Sequence, residues 1–223
     1  MFAKKMNRMK AALLASAIVL SLSGSTVYAM PQGGSVAVGS VTGLTDGTVA
    51  SGGTLTATSD AIINWNSFNI AQGESLTFNT EKYTLLNRVT GTGISTIAGI
   101  LNQTGTDTCS AILVNPNGIV ISGTATINAS NLILSTLTLS DDQLMNGNTA
   151  TFTQQGSTPA LLSVEKGAKF HVRDLLLLAG GKVNVADGVT FSAGNSNNDD
   201  VMIENLAAQS FTVNKENESQ DFM

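Results

Sequence analysis

Ile112-Leu113-Val114-Asn115-Pro116-Asn117-Gly118-Ile119-Val120-Ile121 is two short apolar runs around a four-residue break. The break satisfies a type I turn place by place. Asn115 accepts a backbone hydrogen bond at the first position and Pro116 presets φ at the second; Asn117 suits the third and Gly118 the fourth. The stretch therefore predicts strand, tight turn, strand. Working outward, the same grammar recurs in Ser75-Leu76-Thr77-Phe78, Thr124-Ala125-Thr126-Ile127-Asn128, Asn131-Leu132-Ile133-Leu134 and Lys169-Phe170-His171-Val172. It returns in Lys182-Val183-Asn184-Val185 and Gly188-Val189-Thr190-Phe191. Each run alternates apolar with polar residues or is a short apolar block, and Gly, Asn or Asp closes it, which is strand chemistry. Helical periodicity is scarce.

Strands this short, joined by bends this tight, suit stacked coils in which each rung buries its apolar side against the next. Aromatics make up only 5% of the chain, so small and β-branched residues must fill the interior. Strict repetition is absent, which leaves a β-sandwich as the competing all-β arrangement. Residues 30–60, with strand-like Val36-Ala37-Val38 and Thr54-Leu55-Thr56, are expected to cap the first coil and shield its edge. Residues 61–192 are expected to form the coils. Residues 193–223 read as a terminal coil: turn-formers Asn195, Asn197, Asn198, Asp199 and Asp200, a last strand or short helix, and a frayed tail from Glu216 to Met223.

Residues 1–29 have a different character. Lys4, Lys5, Arg8 and Lys10 precede an apolar run from Ala11 to Leu22, and Val27-Tyr28-Ala29 offers small residues where a signal peptidase reads, so cleavage is expected between Ala29 and Met30. The run is too short to span a bilayer. Without this segment the chain holds seven basic and sixteen acidic residues, a formal charge of -9. That balance argues against nucleic acid and anionic lipid as partners. Cys109 is the single cysteine, so no internal disulfide forms and stability must come from packing and backbone pairing. It reads as a small buried apolar residue, with a reactive thiol and a disulfide-linked dimer as the other options.

Four stretches in fixed order resemble a known family. They are Ile63-Asn64-Trp65-Asn66-Ser67-Phe68-Asn69-Ile70 with Gln72 to Phe78, then Leu86-Asn87-Arg88-Val89-Thr90-Gly91 with Ser95 to Leu101, then Ile112 to Ile119, then Ile127 to Leu137. Together they look like the haemagglutination-activity, or secretion, domain of filamentous-haemagglutinin-type two-partner-secretion adhesins. The match is clear over about 61–140 and looser over about 31–192. The resemblance implies a right-handed parallel β-helix, pectin-lyase-like, with an N-terminal cap and short antiparallel extensions. It also implies delivery by the Sec machinery, then recognition by the periplasmic POTRA domains of an Omp85-type outer-membrane barrel that exports the chain to the surface or medium. Asn87, Arg88, Asn115, Pro116, Asn117 and Gly118 fall in the motifs that the family needs for secretion. Host or bacterial surface glycans are the implied adhesion targets, and members commonly continue into a long stalk.

Read without the family, Arg88 either lies on the outer face as a solvated charge or grips a carboxylate through its fork; the expectation is that Asn87 bonds along the coil while Arg88 fixes a neighbouring loop. Strand alternation puts Ile63, Trp65 and Ser67 on one face and Asn64, Asn66 and Phe68 on the other. Trp65 is expected to cover a coil end or the cap contact, or else to stack on a sugar. A stand-alone glycan- or matrix-binding protein and a β-helix polysaccharide lyase or hydrolase are the competing functions. The second requires paired carboxylates; Asp141-Asp142 and Asp199-Asp200 read as solvated loop tips, and His171-Val172-Arg173-Asp174 as a surface alternation. No cofactor, metal site or catalytic group is expected.

Overall fold

Leu76, Leu101, Ile127, Phe170 and Phe191 stand over one another in parallel register, one from each successive turn of the chain. The computed structural model describes residues 29–105, 110–145, 149–193 and 201–214. Two cap strands come first, β1 (Ser35–Val38) and β2 (Val41–Thr42). The first coil is β3 (Gly53–Ala57), β4 (Ala61–Trp65) and Ile70, which bridges to the coil above. The second is β5 (Ser75–Glu81), β6 (Leu85–Val89) and β7 (Ser95–Ile97), and the third is β8 (Ile100–Gly105), β9 (Ala111–Val114) and β10 (Ile119–Ile121).

In the fourth coil the long β11 (Thr126–Ser135) serves two sides. The chain then leaves the coil for a helix, α1 (Asp141–Met145), and β12 (Thr149–Thr153), and returns as β13 (Leu161–Val164). The fifth is β14 (Lys169–Gly180) and β15 (Lys182–Val185); the sixth is β16 (Thr190–Ala193) and β17 (Met202–Ala207), after which β18 (Ser210–Asn214) pairs antiparallel with β12. Three parallel stacks thus form the sides of a six-turn parallel β-helix. Parallel ladders between neighbouring coils rule out the sandwich.

The interior is aliphatic with a few aromatics, and Leu55, Ile63, Leu101, Leu134, Leu162 and Leu178 are all fully buried. At about 1.5–3 kcal/mol for each large apolar side chain removed from water, these stacks supply the driving force. β11 turns its corner through a register shift between Ala129 and Asn131. The corner leaves the Ser130 and Asn131 amides buried and out of the ladder, and the coil below supplies an acceptor. Gln103, itself 4% exposed, accepts both amides on Oε1 at 2.6 and 3.0 Å, while its Nε2 donates to Thr80 Oγ1 at 3.0 Å.

The second stack carries large apolar side chains on both faces. Outward-facing Ile62, Leu86, Ile112, Ile133 and Leu177 are aligned coil on coil. A second apolar cluster buries them under Leu137, Leu139, Leu144 and Phe152 of the excursion. Phe152 stacks on Phe211 of β18 with centroids 4.5 Å apart. This explains the unbroken apolar run Ala111–Val114, which has no solvent side.

Several expectations are corrected here. β3 lies inside the stretch assigned to the cap, yet it pairs in parallel with β5 and is the first rung. Phe68 does not face away from Trp65: β4 ends at Trp65, the chain bends, and both rings enter the same core edge to face at 5.8 Å. Asp141-Asp142 is not a loop tip but the first turn of α1. Of the strand or short helix expected beyond Gly194, the chain forms strand, as β17 and β18, in keeping with the first of the two alternatives. Cys109, Asn195 to Asp200, most of the signal segment and the tail from Glu216 lie outside the described residues.

The Gln103 corner makes a prediction. Gln103→Leu keeps the volume but removes the acceptor that two buried amides share, so urea denaturation should show a loss of at least about 2 kcal/mol. A loss below about 0.5 kcal/mol, the scatter of an ordinary surface change, would refute this account of the corner.

Candidate secretion-motif site

Asn115 begins the turn and is completely buried. The Gly118 amide donates to its carbonyl at 3.1 Å, closing the turn across Pro116 and Asn117. Asn117 keeps φ negative, since among the described residues only Asp46 and Glu81 are non-glycines with positive φ, and this excludes a type II turn. Gly118 itself sits at φ +134°. The Asn115 side chain does more than its own turn requires. Its Oδ1 accepts from the Asn117 amide at 2.9 Å and from Asn117 Nδ2 at 3.0 Å. Its Nδ2 donates to the Gly93 carbonyl at 3.0 Å and Ser95 Oγ at 2.9 Å, both on the coil below. Asn117 Nδ2 reaches the Gly91 carbonyl at 2.8 Å. The turn is therefore fastened to its neighbour by two amide side chains, with Asn117 exposed at the surface.

Asn87 points inward, in register between Ile63 and Leu113. It is fully buried, and its Oδ1 accepts from the Trp65 indole Nε1 at 3.0 Å. This lets the indole N–H enter an apolar core without losing its hydrogen bond. Trp65 is fully buried, so no ring face is presented to a sugar. It also presses on the cap: a Cβ added to Gly34 would lie 2.5 Å from Trp65 Cζ3, so only glycine fits there.

Arg88, the next residue, points outward. Its Nη1 pairs with Asp141 Oδ1 at 2.6 Å and its Nη2 donates to the Leu139 carbonyl at 2.8 Å. The fork is thus split between a carboxylate and a backbone carbonyl and does not grip one carboxylate with both prongs. It holds the start of the excursion against the second stack. Sequence reasoning missed Asp141 as the partner, although Ser140-Asp141-Asp142-Gln143 carries a legible capping signature. The Gln143 amide donates to Ser140 Oγ at 3.3 Å, placing a helix start, and hence Asp141, at this point. Nothing in the pattern would have flagged Gln103.

The two motifs meet at the surface. A groove of about 730 Å³ runs between them, lined by Arg88 and Thr90 on one coil, Pro116 and Asn117 on the next, and Leu139 and Asp141 of the excursion. Among the described residues no group of three or more His, Cys, Asp or Glu is placed to hold a metal ion.

This geometry can be set beside known proteins. The family model described as the TPS secretion domain matches residues 27–221. The heme/hemopexin-binding protein of Haemophilus influenzae is 31% identical over 228 residues, taking in 90% of this chain and 24% of that protein. The crystal structure of the HMW1 secretion domain from Haemophilus influenzae matches with a TM-score of 0.65 at 32% identity, covering 82% of this chain and 46% of that one. The chain thus spans about a quarter of the curated relative and less than half of the solved chain. The ordered motifs, the β-helix and the match over 27–221 agree: the chain belongs to the TPS secretion-domain family, the secretion modules of two-partner-secretion exoproteins, which cross the outer membrane with a transporter partner.

Proposed function

We propose that this module enters the periplasm through the Sec machinery, is cut between Ala29 and Met30, and is then recognised by the POTRA domains of its outer-membrane barrel. Export leaves it in the medium or at the cell surface. Met30 packs into the core at 7% exposure and Gln32 pairs with Ser67, which supports a mature chain beginning at Met30. In this reading the module has no catalytic role, and adhesion or ligand binding belongs to the exoprotein as a whole. The buried Trp65 gives the stand-alone glycan-binding alternative no aromatic platform.

The observation that carries the proposal is the position of Asn115. Its four side-chain hydrogen bonds are all internal, so the Asn-Pro-Asn-Gly motif serves export by keeping two coils in register, and the partner reads the folded surface around it. Co-expression with the transporter tests this. Asn115→Ala/Asn117→Ala should lower the melting temperature and the amount released into the medium together; equal release of variant and wild type would end the proposed role of the turn.

Asn115→Asp gives a sharper check through pH. It puts a carboxylate oxygen against the Gly93 carbonyl in a fully buried site, so burial and carbonyl repulsion raise its folded-state pKa above its unfolded value. The unfolded chain then gives up this proton first, so the penalty is smallest below the unfolded pKa and grows as pH rises through the folded one. Denaturation should show this variant closer to wild type at acid pH than at neutrality, and a pH-independent difference would contradict the burial argument.

Arg88→Lys retains the charge but cannot bridge Asp141 and Leu139 together. It should loosen residues 138–145 to proteolysis, with a stability loss of about 1 kcal/mol. Unchanged melting, digestion and release would remove Arg88 from the account.

A further inference from the structure

Asn117 and Gly118 form one of the two Asn-Gly pairs in the chain; the other, Asn146-Gly147, lies outside the described residues. Such a pair has a chemistry of its own. The backbone nitrogen of the following residue can attack the asparagine side-chain amide, and a glycine there puts no side chain in the way. Asn115 in the same motif is immune, because the nitrogen that follows it belongs to Pro116 and carries no proton to lose. The fold requires both members of the labile pair. Gly118 sits at φ +134°, and a Cβ there would lie 3.2 Å from the Leu161 carbonyl and 3.3 Å from Ile94 Cγ2, so another residue would be strained. Asn117 is needed for its Nδ2, which ties the turn to the Gly91 carbonyl of the coil below at 2.8 Å.

In the folded state the same contacts disarm the reaction. Gly118 is buried and its N–H is given to the Asn115 carbonyl at 3.1 Å, which keeps the attacking nitrogen from the solvent base that would take its proton. The carboxamide under attack is held as well. Besides Gly91, its Nδ2 meets Asn115 Oδ1 at 3.0 Å and the Gly93 carbonyl at 3.5 Å. Asn117 itself is exposed, so water, the second reactant, is at hand. The closed turn is what stands between this pair and its reaction, and a turn opens only as far as its local stability allows.

We propose that Asn117 is a deamidation site gated by folding: closed while the second and third coils are stacked, open whenever the turn is released from the coil below. In the open state the Gly118 nitrogen gives its proton to a solvent base and bonds to Asn117 Cγ; the Cγ–Nδ2 bond breaks and the nitrogen leaves as ammonia, taking a proton from water. Water then adds to either carbonyl of the cyclic imide and opens it to aspartate or isoaspartate. Neither product refastens the turn. Aspartate sets carboxylate oxygens against the Gly91 carbonyl and Asn115 Oδ1 where a donor stood. Isoaspartate lengthens the backbone inside a turn closed by a bond across it. A chain that stacks its coils promptly therefore keeps its fastening, and one that stays unstacked loses it irreversibly. Withdrawal of slow folders from export follows from the role proposed above for the turn and rests on that reading; the gated site does not.

The test follows conversion at residue 117 by peptide mass mapping with isoaspartate detection, on purified protein held in native buffer and, in parallel, in urea until Asn146 has converted. In urea residue 117 should convert alongside Asn146. Folded wild type should convert there at least about tenfold more slowly than in urea, and folded Asn115→Ala, whose turn is loosened, at least about tenfold faster than folded wild type. A smaller difference in either comparison overturns the gating, and an intact Asn117 in urea beside a converted Asn146 removes the site. Asn117→Asp supplies one of the products and should melt about 2–4 °C below wild type. Melting like wild type would refute the loss of the fastening. If this variant melts lower yet is released by the transporter as wild type is, the site stands and the export role of the turn falls.

Discussion

Register between coils is the constraint on which everything else in this molecule depends. A coil of three short strands buries nothing by itself; its Leu and Ile side chains leave water only if each lands on its counterpart one turn away. The chain has no disulfide to impose that alignment, since it holds one cysteine. Alignment comes instead from parallel backbone ladders along the sides and, at corners where ladders stop, from amides. Gln103 satisfies the corner of β11, Asn115 and Asn117 tie one turn to the loop below, and Thr80 and Asn87 complete the set. Each is a polar group placed where the backbone bends or an indole N–H would otherwise go unpaired. Their strength lies in asymmetry: each net bond is modest, but its loss leaves a buried donor or acceptor unmet.

This division of labour explains which parts were legible in the sequence. Strands and tight turns could be read because alternation and turn chemistry are local: Asn115-Pro116-Asn117-Gly118 dictates its own geometry. The ordered motifs then selected a β-helix over a sandwich through the family they resemble, whose fold that is; alternation and turn chemistry alone left both open. Phe68 escaped the alternation rule because β4 ends three residues before it, and a bend resets which side a residue faces. The tie from Arg88 to the excursion joins residues about fifty positions apart, and no local pattern records a partner at that distance. Gln103 was invisible for a related reason: its function is defined by the bulge in the next coil, not by its own neighbours.

The excursion also alters how the solenoid holds together. In a plain stack each coil senses only adjacent coils, so stability accumulates rung by rung and ends can fray independently. Here Leu139, Leu144 and Phe152 leave the fourth coil and lie across the outward residues of the second stack, from Ile62 in the first coil to Leu177 in the fifth. Phe211, from beyond the sixth coil, closes over Phe152. One apolar cover thus links the first coil to the last described strand. Arg88 fastens the start of that cover to the second coil, which makes its split fork a long-range tie as well as an ion pair.

Two adjacent residues, Asn87 and Arg88, therefore serve opposite sides of the same strand: one satisfies the core at Trp65, the other anchors the cover outside. The Asn-Pro-Asn-Gly turn is divided in the same way, with Asn115 inside and Pro116 and Asn117 at the surface. A motif built like this cannot be sorted into structural or recognition residues by whether its loss stops export, because disturbing the inner member displaces the outer one. The separation has to be made at positions that face solvent and bond to nothing, where a change of surface leaves the register of the coils untouched.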